Sequence, residues 1–356
     1  MPRNRNGLWP DGAIADCETP SAVLEGFTLT GGTGTLHTGM QLEEDLPRDN
    51  IVGGGMYCHD ASPTVRNCWF VSNMANYAAG IFVDGCSSRI EDCEFRTNVS
   101  GTYGSAIGGP ASPLVIARCL FASNEGGDGD GAVHVTGSLR VEDCIFRGNR
   151  ARAGGALNAG DYTTSFSVSR CIFVDNSTHE THGGAVRVHE GTLTMDGCLF
   201  ERNVAAVDGG AVMFIDGANG SVRNCTFIDN DALRWGGHIA CYSSNPAITN
   251  CIFAHALSHG GLYCSFSSPV LSCNDAWENV DGNYIGIEDP TGTMGNISAD
   301  PLFCDPPLSD YSIDAQSPCA PDHDPQCGLI GAYAVGCAST PTEGVSWGSL
   351  KSNFRR

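Results

Sequence analysis

Between residues 51 and 265 the apolar positions recur in columns, each copy separated from the next by the length of a small coil. A cysteine stands at Cys68, Cys93, Cys119, Cys144, Cys171, Cys198, Cys225, Cys251 and Cys273, in steps of 25, 26, 25, 27, 27, 27, 26 and 22 residues. Two positions after each of the first eight stands a phenylalanine: Phe70, Phe95, Phe121, Phe146, Phe173, Phe200, Phe227 and Phe253. Five positions after stands an asparagine in seven copies: Asn73, Asn98, Asn124, Asn149, Asn176, Asn203 and Asn230. Three positions before lies an aliphatic residue, from Val65 and Ile90 through Met195 to Ile248 and Val270. Each unit consists of short β-type runs broken by Gly and Asn, and no stretch of about ten residues carries a helical period. A period of this length signals a solenoid. Helical repeats are excluded, the leucine framework of a leucine-rich repeat is missing, and a parallel β-helix of nine to ten coils remains. Stacked at about 4.8 Å, those coils make a rod of roughly 45 Å. Identical residues then form internal ladders of Phe, Cys and Asn, the last satisfying buried turn amides. A Gly-Gly pair before one strand of most units suits a corner that needs positive φ or close backbone approach.

The residues resemble a known family. Phe173 to Asn176 with Gly183-Gly184-Ala185-Val186, and Phe200 to Asn203 with Gly209-Gly210-Ala211-Val212, are similar to the FxxN and GGA[ILV] motifs of polymorphic outer membrane protein repeats. More widely, residues 23–280 look like secreted bacterial right-handed parallel β-helix proteins. The resemblance implies a right-handed helix outside the cell or on its surface, often adhesive. It brings no catalytic residue, and the autotransporter barrel of the outer-membrane members is missing from this sequence.

Four segments are expected. Residues 1–22 form an N-terminal segment whose start is truncated, because neither a cap nor an export signal precedes the first coil. Residues 23–299 are the β-helix, its first coil read with Glu25 at the cysteine position and Phe27 in the phenylalanine column, and with residues 33–50 as a projecting loop. Residues 300–337 are a Cys- and Pro-rich cap tied by disulfides among Cys304, Cys319, Cys327 and Cys337, while the column cysteines stay buried thiols. Residues 338–356 are a linker and a tail in which Trp347, Leu350 and Phe354 share one helical face.

A formal charge of −21 repels phosphate backbones, so no nucleic acid is expected as a partner. No apolar run is long enough to span a membrane. Eighteen cysteines fit an exported protein better than a cytosolic one. A secreted or cell-surface monomer facing a polysaccharide or a surface glycan or protein is the expectation. No metal site is marked. Calcium stays open as a cofactor without an evident acidic set, since Asp128-Gly-Asp130 is the single compact pair.

Functional candidates lie outside the ladders. Residues alternating outward along the Gly-Gly strands form a column whose expected binding members are Tyr57, Phe82, His134, Asn158 and Tyr263, with His189 and Trp235 beside it. His182, Asp208 and Trp235 each precede a Gly-Gly corner and should stack about 5 Å apart. His182 and Asp208 as acid or base, with Arg187 stabilising a developing anion, could support β-elimination on a uronate polymer. A pectate-lyase-like polysaccharide lyase or an epimerase is therefore the alternative to a binding and adhesion module. A further outward stripe, Trp69, Leu120, Ile145, Ile172, Leu199 and Ile252, is more apolar than scattered exposed side chains: either a flat β ladder tolerates aliphatics there, or a loop, the tail or a partner covers it.

Overall fold

A computed structural model describes residues 13–15, 22–38, 49–110, 113–160 and 165–337. The chain winds as a right-handed β-solenoid. Four sheets run along it, of eleven, ten, ten and seven strands, and each strand pairs in parallel with its counterpart one coil away. The eleven-stranded Gly-Gly sheet runs from Ala13–Ala15 and Met56–His59 to Leu262–Ser265 and Tyr284–Ile285, an aliphatic sheet from Val23–Glu25 to Val270–Ser272, and a phenylalanine sheet from Thr28–Thr30 to Asp275–Trp277. The described residues include one 3-10 turn, Pro306–Leu308, and no α-helix. None of their helices is long and apolar enough to cross a membrane.

The sequence columns become ladders inside this tube. The eight phenylalanine rings stack with centroids 4.6–5.0 Å apart, within 6° of parallel except for the last pair. Each ladder asparagine from Asn73 to Asn203 joins three coils. Asn176 Nδ2 donates to Phe146 O (3.0 Å) and Asn203 Oδ1 (3.0 Å), while its Oδ1 accepts from Asn149 N (3.1 Å) and Asn149 Nδ2 (2.9 Å). The cysteine thiols point at main-chain carbonyls, as Cys171 Sγ does at Ser169 O (3.2 Å). Burial pushes the Cys171 and Cys225 thiols well above their ordinary pKa, so these are inert hydrophobes with a weak donor.

The two glycines of the corner act differently. Gly209 sits at φ 68°, and a Cβ there would lie 2.5 Å from Val212 O, whereas a Cβ on Gly210 would overlap the Gly237 carbonyl of the next coil. The first needs the left-handed region and the second needs the space.

The ladder has one gap, at Ala256, and a histidine bridges it. His238 replaces the alanine of the Gly-Gly-Ala motif. Its Nδ1 lies 3.1 Å from Asn230 Nδ2 and its Nε2 3.0 Å from Asn279 Oδ1. Partners of that polarity fix the neutral tautomer with the proton on Nε2. Burial pulls the His238 pKa down to about 3.

Both ends depart from the expected register. Leu24 pairs with Val65, Glu25 with Arg66 and Leu29 with Phe70. The first coil is therefore offset by two residues from the sequence alignment, with Phe27 exposed and Leu29 inward. At the other end Leu271, not Val270, pairs with Ile248, and Asn274 takes the cysteine position, its Oδ1 accepting from Cys251 N (3.0 Å). The one-residue slip turns Cys273 to the outside, where it is disulfide-bonded to Cys327. The second disulfide is Cys304–Cys337. Cys319 is buried and free, its thiol donating to Asp275 Oδ2 (3.1 Å). The disulfide tie at the C-terminus is thus present, but its pairing draws on the ninth column cysteine and leaves Cys319 out. The insertion contributes an antiparallel hairpin, Thr35–Thr38 with Asp49–Val52. Its tip, most of residues 1–22, and the tail with Trp347, Leu350 and Phe354 lie outside the described residues.

The C-terminal segment is also a strap. It turns back along the phenylalanine sheet and buries Tyr311, Ile313, Ala320 and Ile330 in one cluster with Ile172, Leu199, Ile228 and Ile252. Gly331 N donates to Asn250 O (2.9 Å), Ala332 N to Thr226 Oγ1 (2.9 Å) and Ser309 Oγ to Glu201 Oε1 (2.9 Å). The apolar stripe is thereby covered by the protein's own chain, while Trp69 stays 46% exposed.

His238 makes stability acid-sensitive. Its folded pKa lies below the unfolded value, so the unfolded chain takes up the proton first and stability falls as pH drops from about 6.5 towards 3. His238→Gln should flatten that part of the pH profile, by several kcal/mol between the extremes, in urea melts of both proteins across the range.

Candidate functional site

The loop that enters each Gly-Gly corner leans over the strand that leaves it, because the positive-φ glycine folds the chain back on itself. Gly183 and Gly154 both lie so close to Arg187 that a Cβ on either would sit 3.1–3.2 Å from the Arg187 Cβ. The residues before the glycines therefore lie along one side of the face over the Gly-Gly sheet, here termed the groove, and the outward strand residues lie beside and beneath them. Successive coils are hydrogen-bonded there: Gly154 N donates to His182 O (3.1 Å), Gly183 N to Asp208 O (3.0 Å) and Gly209 N to Trp235 O (3.0 Å). The expected stacking of His182, Asp208 and Trp235 follows from this.

Along the axis the groove changes character twice. At its N-terminal end Tyr57, Tyr77 and Phe82 pack into a small apolar cluster with Val52 and Ala78, and Tyr103 packs against it. The Tyr103 ring stacks on His134 with centroids 4.8 Å apart. In the middle lie two ionic clusters. Asp130, 5% exposed, accepts from Asn158 Nδ2 (2.8 Å) and lies 3.5 Å from Arg152 and 3.9 Å from Arg187. Asn158 Nδ2 is 3.1 Å from His134 Nδ1, and Arg187 Nη1 donates to Asn158 Oδ1 (3.5 Å). In the second cluster Arg234 grips the fully buried Asp208 with two hydrogen bonds, 3.0 and 2.5 Å, and His182 Nδ1 stands 3.2 Å from Asp208 Oδ2. Burial alone would raise the Asp208 pKa, but His182 and Arg234 more than offset it and hold the carboxyl below its ordinary range. At the C-terminal end Trp235, 36% exposed, stacks on Tyr263 at 5.2 Å and 13°, with His259 edge-on to Trp235 and Tyr242 tilted against Tyr263.

Several expected site residues are placed differently. Tyr57, Phe82 and Asn158 are buried at 7%, 1% and 1% exposure, because the loop wall closes over the strand, and so they support the groove without lining an open surface. His134, Arg187 and Tyr263 are half-buried in it. His189 sits at the rim, its Nε2 3.1 Å from Asp216 Oδ2. His182 and Asp208 are together, as expected. Arg187 instead joins the Asp130 cluster, and the cation on Asp208 is Arg234. Arg234 belongs to the titratable group that the sequence places around His182 and Asp208, and Asp130 enters there only as half of an acidic pair, while Arg152 and Tyr103 carry no expectation. The signal for Asp130 and Tyr103 was present in the sequence, since both stand close before a corner glycine, as His182 and Asp208 do. Among the described residues no three His, Cys, Asp or Glu side chains converge as metal ligands.

Arg234→Ala should leave Asp208 buried without its main counter-charge and cost about 3–5 kcal/mol in urea unfolding, whereas Arg234→Lys should recover part of it.

Known proteins add the following. A family model described as right handed beta helix region matches residues 54–210 and 167–288. The metabotropic glutamate receptor-like protein R of Dictyostelium discoideum is 30% identical over 248 residues, 60% of this chain; the chain spans 14% of that relative's length. No solved structure matches.

Proposed function

Since this chain belongs to the right-handed β-helix family, we propose that it is an extracellular or cell-surface binding and adhesion module whose ligand, a glycan or another surface partner, lies along the groove over the Gly-Gly sheet. The observation that carries the reading is how the groove's polar centre is used. Asp208 is held by Arg234 and kept ionised, and Arg187 and Arg152 face Asp130. Groups tied in this way are poor proton carriers and good fixed walls. Aromatic rings at both ends suit a ligand with apolar faces. Two disulfides favour an oxidising compartment, and the FxxN and GGA motifs point the same way through their likeness to surface-displayed repeats.

A second reading keeps one specific observation, the His182 imidazole backed by a buried carboxylate. On a uronate polymer such a pair would take the proton from the carbon next to the carboxylate. The glycosidic carbon–oxygen bond on the neighbouring carbon would then break, with the leaving oxygen protonated. This is a lyase step, and reprotonation on the opposite face would make it an epimerase.

Ultraviolet absorbance of unsaturated uronate ends, followed on pectate and alginate, separates the two. No product from the wild type, together with retention on a glycan surface, is expected. Product that appears with the wild type and disappears with His182→Ala would overturn the binding-module reading in favour of the lyase.

A further inference from the structure

We infer that the groove selects a neutral, hydroxyl-rich glycan over an acidic one, holding a sugar ring at the Trp235–Tyr263 stack and hydroxyls at the Asp130–Arg187 cluster. This rests on the binding-module reading and narrows it to a ligand class.

Charge comes first. A uronate or sulfated polymer needs cations that are free to meet it, and each of those in the groove already faces an aspartate. Arg234 is bound twice to Asp208, and Arg152 and Arg187 both face Asp130. Drawing Arg234 onto a polyanion would strip the fully buried Asp208 of its partner. Three arginines against two aspartates leave the two clusters close to neutral, within a chain of formal charge −21 that repels polyanions at longer range.

Hydrogen-bonding capacity points the same way. Asp130 Oδ1 and Arg187 Nε are buried and make no hydrogen bond, although Asp130 Oδ1 faces Arg152 Nη2 at 3.5 Å. One is an acceptor and the other a donor, on neighbouring parts of a single cluster. A carboxylate or sulfate only accepts and would serve Arg187 while opposing Asp130. An ammonium only donates and would do the reverse. A hydroxyl does both.

The third observation is the platform. Trp235 is 36% exposed, and its ring is parallel to that of Tyr263. A pyranose has an apolar C–H face and a polar rim, so it can bury the face on an aromatic ring and keep its rim in water. His134, in the coil of Asp130, stands five strands before Tyr263 in the Gly-Gly sheet, a span of about 24 Å at the strand spacing. A ligand touching both ends is therefore an oligosaccharide or a polymer.

The test uses the full chain on immobilised neutral polysaccharides (glucan, mannan, galactan and xylan) beside polygalacturonate, alginate and a sulfated polymer, at low and high salt. Retention on at least one neutral polymer, unchanged by salt, is expected. Trp235→Ala should weaken it roughly tenfold or more at unchanged melting temperature. If that variant misfolds, Trp235→Tyr keeps a ring and should keep most of the binding. Trp69→Ala, which removes an exposed aromatic from a different sheet, should leave it unchanged. Binding confined to the acidic polymers and lost in high salt would overturn the neutral-ligand inference while sparing the binding-module reading. Binding lost in Trp69→Ala but kept in Trp235→Ala would overturn the placement. Retention on no glycan at all would remove the inference together with the glycan form of the reading beneath it.

Discussion

The structure depends on the amide relay inside the tube. A parallel β-helix pairs its strands through the main chain, but the turns between strands leave amide and carbonyl groups that no strand can reach, and water cannot enter to satisfy them. The asparagine column solves this from Asn73 to Asn230, and each side chain as far as Asn203 closes bonds to the coil before and the coil after. Because each bond depends on its neighbours' positions, the relay also fixes the register in which the phenylalanines stack. His238 shows how strict the demand is. Where Ala256 cannot supply an amide, a buried imidazole held neutral far below its usual pKa takes over.

That interior was legible in the sequence because inward positions are under one constraint repeated coil after coil. Fold class, ladder identities and the Gly-Gly corner all follow from it. Legibility failed where the constraint ended. At the first coil Phe27 imitates the phenylalanine column, although Leu29 is the residue that points inward. At the last coil Cys273 imitates the cysteine column while Asn274 fills its place. The slip of one residue at the last coil exchanges inside for outside in a period-two structure, whereas the offset of two at the first coil sets Phe27 level with Cys68, and sequence spacing alone detects neither. The same limit explains the disulfides, since an outward Cys273 is free to meet Cys327 and Cys319 is left beside Asp275.

The outer surfaces were less readable for a different reason. Strand alternation shows which side chains leave the core but not what lies above them. On the phenylalanine sheet the strap from the C-terminal segment hides Leu199 and Ile252. On the Gly-Gly sheet the entering loops close over Phe82 and Asn158 and leave Trp235 open. The groove is thus a by-product of the corner. A glycine in the left-handed region folds each loop back over its strand, and the residue before it becomes a wall whose chemistry can vary without disturbing the ladders. That separation lets one scaffold carry aromatic ends and an ionic centre on a single face.

The central claim is that the relay, more than any single strand pairing, holds the coils together. Equilibrium urea unfolding of Asn176→Ala tests it most directly, because this one truncation leaves Asn149 N without its acceptor in the dry interior and removes one bond each from Phe146 O, Asn203 Oδ1 and Asn149 Nδ2. A loss of at least about 3 kcal/mol is predicted. A loss below about 1 kcal/mol would contradict the account.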